Sequence, residues 1–236
     1  MAELPLTATQ THLDRFYELL ARLRANPTQG QPLVDCSGRS QWPTRGVYFF
    51  LEPGEFRAST PDVSRVVRVG THAISAGSQS TLWGRLRAHR GGRNGGGNHR
   101  GSIFRLHVGA ALLAAREEQL ATWGTGSSAP REIRESEHTH ERRVSAYLGS
   151  MSVLWLTVPD EPSPASHRSM IERNSIALLS NHFSPPDPPS ASWLGRKSPR
   201  SEIVRSGLWN LNHVDEEYDP AFLTLLEHYV SLTCPH

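Results

Sequence analysis

Arginine and histidine side chains dominate one stretch of the chain from which acidic side chains are missing. Residues 63–116 contain no Asp or Glu. The stretch holds four histidines, at positions 72, 89, 99 and 107, and nine arginines, at positions 65, 68, 85, 87, 90, 93, 100, 105 and 116. A guanidinium can bind phosphate through two parallel hydrogen bonds, and an imidazole can exchange a proton near neutral pH. Within a chain of net charge +2, this block predicts a site for a polyanion.

Arg85 and His89 are the pair in this block best placed to act together. The segment around them reads as a helix in which Leu82 and Leu86 form the apolar stripe. Side chains four residues apart share one helix face, so the guanidinium and the imidazole are expected side by side next to that stripe. The pair predicts phosphate binding combined with proton transfer. The alternative for an arginine on a helix is a solvated charge.

The elements that must position these side chains are short. Apolar runs predict strands at 46–51, 65–70, 102–108 and 153–158, with a turn at Glu52-Pro53-Gly54. Apolar periodicity predicts helices at 9–25, 131–148, 166–181 and 221–233, a helix capped by Ser78 or Ser80, and a helix or turn at 112–122. We therefore expect an α/β (α+β) fold with a small, mainly antiparallel sheet flanked by helices. One domain over 1–236 is expected, with a core at about 43–212 and the helices 9–25 and 221–233 as additions.

A glycine-rich loop follows the helix that carries Arg85 and His89. Six of the 11 residues from 91 to 101 are glycine, which lets backbone approach a ligand closely. His99 and Arg100, near its end, carry donors suited to phosphate or to guanine edges. The loop is expected either to determine specificity or to be a flexible insertion.

The order of these motifs resembles the GIY-YIG nuclease family. Gly46-Val47-Tyr48 matches the first signature, Arg68-Val69-Gly70 matches a variant of the second, and Arg85 with His89 matches the helix behind them. The resemblance implies a GIY-YIG-like fold, with a three-stranded, mainly antiparallel sheet, insertions and terminal helices. It also implies hydrolysis of DNA phosphodiester bonds. Tyr48 would be the general base, Arg85 would contact the scissile phosphate, and His89 would share the proton transfer or bind phosphate. A phenol has a pKa of about 10, so a phenolic base needs cations beside it.

The resemblance also implies one divalent metal, Mg²⁺ or Mn²⁺, held by a glutamate on a helix. Glu172 is the residue that matches, and a hard carboxylate oxygen suits Mg²⁺. The alternative is an exposed glutamate paired with Arg168 or Arg173, which contributes little to stability. The closing asparagine of the family is expected at Asn210, with Asn181 as the alternative.

The second signature departs from the family at Arg68, where a tyrosine is usual. An arginine cannot act as a base at neutral pH, so Arg68 is expected to bind phosphate and His72 to take a proton. The other expected contacts to DNA or phosphate are Arg87, Arg90, Arg93, His99, Arg100 and Arg105. The departure leaves two alternatives open: a catalytically silent nucleic-acid-binding protein of the same fold, and an RNA nuclease.

The remaining expectations concern the setting of the protein. Two isolated cysteines, Cys36 and Cys234, fit a reduced cytoplasm. Residues 1–5 lack the features of a signal peptide, and no run approaches the roughly 18 apolar residues that span a bilayer. Duplex DNA is the expected partner. A cutter of duplex DNA with one active site per chain needs either a homodimer or sequential nicking. A role in restriction or genome defence is expected by analogy with the family.

Overall fold

The computed structural model describes residues 7–183 and 186–234, and in them a small antiparallel sheet separates two layers of helices. The strands are β1 (Gly46–Phe56), β2 (Ser64–Gly70) and β3 (Ser152–Thr157), in the order β2-β1-β3. This arrangement confirms the predicted fold class. Residues 1–5, on which the expectation about a signal peptide rests, lie outside the described residues. Within the described residues, no helix combines the length and apolarity needed to cross a bilayer.

Seven α-helices are described around this sheet. They are α1 (Ala8–Arg24), α2 (Leu82–Arg90), α3 (Ile103–Ala115), α4 (Arg131–Gly149), α5 (His167–Leu179), α6 (Ser201–Ser206) and α7 (Phe222–Thr233). Single 3₁₀ turns lie at His99–Gly101 and Leu194–Lys197. The predicted terminal helices, α4, α5 and all strands except 102–108 are confirmed to within a few residues, because their periodicity and their end signals agree.

The predicted strand at 102–108 was wrong, because these residues form the start of α3. The Ser102 hydroxyl caps this helix by accepting from the Arg105 amide at 3.3 Å. Phe104, Val108 and Ala111 are then buried at helical spacing. The short run of apolar residues fits either period, and the cap decides in favour of the helix.

Three smaller expectations also needed correction. The N-cap of α2 is Thr81 rather than Ser78 or Ser80. β1 continues through the predicted turn at Pro53-Gly54, where its register with β2 is irregular. The short helix α6 was not predicted, since six residues offer too little periodicity to recognise.

The alternation of side chains along β1 divides the interior into two cores. Val47 and Phe49 face a core built with α1, α5 and α7. Tyr48 and Phe50 face the other core, built with α2, α3, α4 and Trp209. Both terminal helices therefore pack on one side of the sheet, and the predicted catalytic tyrosine lies on the other.

We predict that Gly46→Ala destabilises the fold. A Cβ at this position would overlap the carbonyl oxygen of Leu156, because β1 and β3 approach closely there. Relief of that overlap must shift backbone, so we expect a loss of about 1–3 kcal/mol in the free energy of unfolding in urea. Gly101→Ala is the control, since a Cβ there meets only the Asn98 amide at 4.0 Å. Equal stability of the two variants would contradict the prediction.

Candidate active site

A buried hydrogen bond joins the two titratable side chains that the sequence analysis singled out. Tyr48 Oη lies 2.9 Å from His89 Nε2, and both side chains are almost fully buried. The phenol lies directly against Gly70, its antiparallel partner on β2. A Cβ at Gly70 would overlap the hydroxyl and ring of Tyr48. The glycine of the second signature is thus the residue that makes room for the tyrosine of the first.

The second ring nitrogen of His89 is also engaged. Nδ1 lies 2.7 Å from the hydroxyl of Ser102, the residue that caps α3. The rings of Phe50 and Phe104 pack against the imidazole. Burial, followed by the charge of Arg85, holds the pKa of His89 well below its usual value. The imidazole is therefore neutral at neutral pH and can accept a proton at one nitrogen.

Arg68 lies in the same face of the sheet, where the family usually has a tyrosine. Its guanidinium donates to the carbonyl oxygen of Trp209 and lies 4.6 Å from the ring centre of Phe104. Burial lowers the pKa of Arg68, and Arg85 adds to this effect, whereas Tyr48 and Glu172 oppose it. The charge of the guanidinium is therefore coupled to the phenol of Tyr48, to the guanidinium of Arg85 and to the carboxylate of Glu172.

Glu172 reaches this face from the opposite layer of helices. Oε1 accepts from the backbone amide of Thr71 at 3.0 Å, just beyond the end of β2. Burial raises the pKa of the carboxyl, while Arg68, the Thr71 amide and His213 lower it. Among the described residues Oε2 has no hydrogen-bond partner, and no group of three acidic, histidine or cysteine side chains is assembled for a metal. Glu172 thus fits a Mg²⁺ ion that takes one protein ligand and completes its shell with water and phosphate oxygens.

His72 follows β2 and is held in a strained loop. Nδ1 lies 3.1 Å from the Ser80 carbonyl oxygen, so this nitrogen carries the hydrogen, while buried Nε2 has no partner among the described residues. Burial and the charge of Arg168 lower the pKa of His72 to about 4. Arg168 also donates to the carbonyls of His72 and Ala73, and Ala73 has a φ of +55°. An ion pair between Arg168 and Asp160 holds the guanidinium in position against these two carbonyl oxygens.

Three residues predicted to bind phosphate lie instead in an internal ion-pair network. Arg105 is fully buried and donates to Glu141, to Ser145 and to the carbonyl of His89. His99 contacts the same Glu141 at 3.0 Å, and Arg100 forms a bidentate pair with Glu137. Their donors are occupied, because α4 supplies the acidic side chains that residues 63–116 lack.

The side chains of both candidates for the closing asparagine form hydrogen bonds with backbone groups. Asn210 Oδ1 accepts from the Val69 amide at 3.1 Å, and its Nδ2 donates to the Val69 carbonyl at 2.8 Å. The amide of Trp209 donates to the Val67 carbonyl at 2.8 Å, so this segment covers the open edge of β2. Asn181 donates to the carbonyls of Asp187 and Ser206. Asn210 therefore supports the strand that carries Arg68 and Gly70, and Asn181 lies in a separate turn.

The other predicted phosphate contacts lie at the surface. Arg87 and Arg93 are exposed and have no side-chain partner among the described residues, whereas Arg90 donates to the Cys36 carbonyl. Sequence reasoning missed Ser102 and Thr71, which orient His89 and Glu172. The polar residue Ser102 before an apolar run was a helix-cap signal that the strand assignment concealed.

Comparison with known proteins gave one match. The family model described as a GIY-YIG domain matches residues 7–235, which include both terminal helices. No curated protein and no solved structure matches the chain.

We predict that buried histidines make the fold acid-sensitive. Burial and the charge of Arg68 lower the pKa of His107 to about 4. Between pH 6.5 and 4 the unfolded chain binds a proton that the folded chain does not, so the free energy of unfolding decreases as the pH is lowered. Between pH 8 and pH 4, His107→Leu should lose ~3 kcal/mol less of its free energy of unfolding than the wild type loses. Urea unfolding at several pH values measures it, and an unchanged slope would contradict the assignment.

We predict that Asn210→Ala destabilises the fold by about 1–3 kcal/mol, because the buried amide and carbonyl of Val69 lose their partners. Thermal and urea unfolding measure the effect. Asn212→Ala, two residues away and exposed, is the control. A variant of wild-type stability that lacks activity would instead place Asn210 in the chemistry.

Proposed function

This chain belongs to the GIY-YIG domain family, a nuclease-type superfamily, and we propose that it is a metal-dependent endonuclease that hydrolyses phosphodiester bonds of DNA. We further propose that it acts in restriction or genome defence, as a homodimer or by sequential nicking. The observation that carries the proposal is the buried hydrogen bond between Tyr48 and His89, in a site where the charges of Arg68 and Arg85 act on the pKa of His89.

The buried pair supplies a path for the proton of the attacking water. As the water oxygen attacks phosphorus, its proton passes to Tyr48 Oη, and the phenolic proton passes to His89 Nε2. The imidazolium so formed is a strong acid because burial and the nearby arginines disfavour its charge. As the new P–O bond forms, the bond from phosphorus to the leaving 3′ oxygen breaks, and that oxygen takes a proton from solvent. The imidazolium then passes its proton back to Tyr48 while Tyr48 releases its own proton to solvent, which resets the pair for the next turnover.

Arg68 and Arg85 supply the positive charge that the reaction needs. Negative charge builds up on the phosphate oxygens as the transition state forms, and preorganised cations stabilise it strongly in a site with little water. Arg68 also lies next to Tyr48, so it stabilises charge on the phenolic oxygen while the proton is in transit. In this proposal, Arg68 replaces the tyrosine of the second signature, which removes a hydroxyl and adds a fixed positive charge. Tyr48 remains the general base.

Glu172 is the residue that would hold the divalent metal, Mg²⁺ or Mn²⁺. When bound, such an ion acts as a Lewis acid on phosphate oxygens. The Thr71 amide orients the carboxylate by binding Oε1, and Oε2 is the oxygen that would bind the metal. Burial raises the pKa of the Glu172 carboxyl, and Arg68 and Arg85 oppose that effect by favouring the ionised form that metal binding requires.

A second candidate function is a catalytically silent protein that binds nucleic acid through the same fold. Arg68 is the specific observation in its favour, since it removes one of the two tyrosine hydroxyls usual for the family. A third is an RNA nuclease of the same mechanism. The experiment below separates the three.

We predict that the protein nicks plasmid DNA with Mg²⁺ and not with EDTA. Tyr48→Phe should lower kcat by on the order of 10²–10⁴, because the proton path is broken. Glu172→Ala should abolish the metal-dependent reaction, and Glu227→Ala, an exposed glutamate on α7, is the control.

Each contrary result separates one part of this prediction. Cleavage that persists in Glu172→Ala would refute the metal ligand. Binding of DNA without cleavage under any metal would favour the silent protein, and faster cleavage of RNA than of DNA would favour the RNA nuclease.

A further inference from the structure

A second basic surface lies beside α2, away from the candidate catalytic side chains. A groove of about 700 Å³ is lined by Arg39, Trp83, Arg87, Arg90 and Arg93, and we call it the arginine groove. An adjoining hollow of about 440 Å³ shares Arg90 and Arg93 and adds Arg142. The residues of these two surfaces come from the loop before β1, from α2, from the glycine-rich loop and from α4.

The arginine groove and the active site lie on opposite sides of α2. Trp83 stacks on Trp42 at 5.2 Å, and Trp42 contacts Trp155 of β3 at 4.5 Å. Arg85 and Arg87 are two residues apart on α2, so their side chains leave the helix about 200° apart. Arg87 lines the arginine groove and Arg85 does not, so the two guanidinium groups lie on different faces of α2.

The guanidinium groups of this surface are not neutralised by the protein. Among the described residues, Arg39, Arg87, Arg93 and Arg142 are exposed and make no side-chain hydrogen bond or ion pair. No acidic residue lines the groove or the adjoining hollow. Buried Arg105 in the same block, by contrast, is paired with Glu141. The exposed arginines are thus available to an external anion.

The floor of the arginine groove is closely packed. A Cβ at Gly38 would lie 2.6 Å from Trp83 Nε1, so backbone and indole are in close contact. Gly91 has a φ of +86°, and a Cβ there would overlap the carbonyl of Gly96. Arg90 lies 5.7 Å from the ring centre of Trp83 and donates to the Cys36 carbonyl. A preformed surface of this kind lowers the cost of ordering on binding.

We propose that the arginine groove binds the phosphodiester backbone of the nucleic-acid substrate at phosphates removed from the scissile one. The inference rests on the proposed function. A strand that places its scissile phosphate at Arg85 would continue across α2 toward Arg87. Repeated phosphates match a row of unpaired guanidinium groups. The substrate must then be a polynucleotide long enough to reach both sides of α2.

The test measures binding of a fluorescent 30-base-pair DNA duplex in a Tyr48→Phe background, where the DNA stays intact. Arg87→Ala combined with Arg93→Ala should reduce the slope of log K against log salt by about 1.8, since each lost phosphate contact contributes about 0.9. Affinity at 0.1 M salt should fall on the order of tenfold or more. Lysine at both positions should restore most of the slope, because the charges remain.

The matched control is Arg15→Ala combined with Arg22→Ala on α1, which removes the same charge from the opposite layer. Its salt slope should equal that of the parent. An unchanged slope for the groove variant, with parental affinity, would overturn the inference and leave the proposed function intact. Failure of the parent to bind any DNA would overturn the proposed function as well. A parallel measurement uses phosphatidylglycerol vesicles in place of DNA. If the groove variant loses binding to the vesicles and keeps parental binding to DNA, the groove binds a lipid surface and the inference is overturned.

Discussion

The contact between the Tyr48 phenol and Gly70 is the constraint on which the site depends. It allows two antiparallel strands to place the hydroxyl on one face of the sheet directly over Gly70, where no side chain on β2 competes for the space. α2 then presses His89 onto that hydroxyl, and the cap of α3 holds the other side of the imidazole. The site is thus built by the packing of β1, β2, α2 and α3 against one another.

The arginines of the acid-free block divide into two classes with different physical roles. Buried members such as Arg65 and Arg105 are paired with Glu55 and Glu141, because a buried charge without a partner would be very costly. Exposed members such as Arg87 and Arg93 have no such partner among the described residues. Charge along the sequence therefore overstates the number of groups available to a polyanion, and tertiary pairing selects which ones remain.

Arg68 belongs to neither class. It is buried and, among the described residues, donates to the carbonyl oxygen of Trp209 and to no carboxylate. Burial lowers the pKa of the guanidinium, whereas Tyr48 and Glu172 oppose this effect, and the ring of Phe104 lies against it. A buried cation is poorly solvated, so in the function proposed above a phosphate would gain more from Arg68 than from a surface arginine.

The sequence alone determined the family motifs, the two terminal helices, the acid-free block and the face shared by Arg85 and His89, because each is a local or periodic property of the chain. Only the tertiary structure decided the rest. It turned 102–108 into a helix whose cap orients His89, and it directed His99, Arg100 and Arg105 inward. It also placed the Asn210 side chain in two hydrogen bonds with the backbone of β2. The contacts of His99, Arg100, Arg105 and Asn210 depend on partners more than 30 residues away, namely Glu137, Glu141 and Val69, and sequence spacing carries no information about which of them will meet.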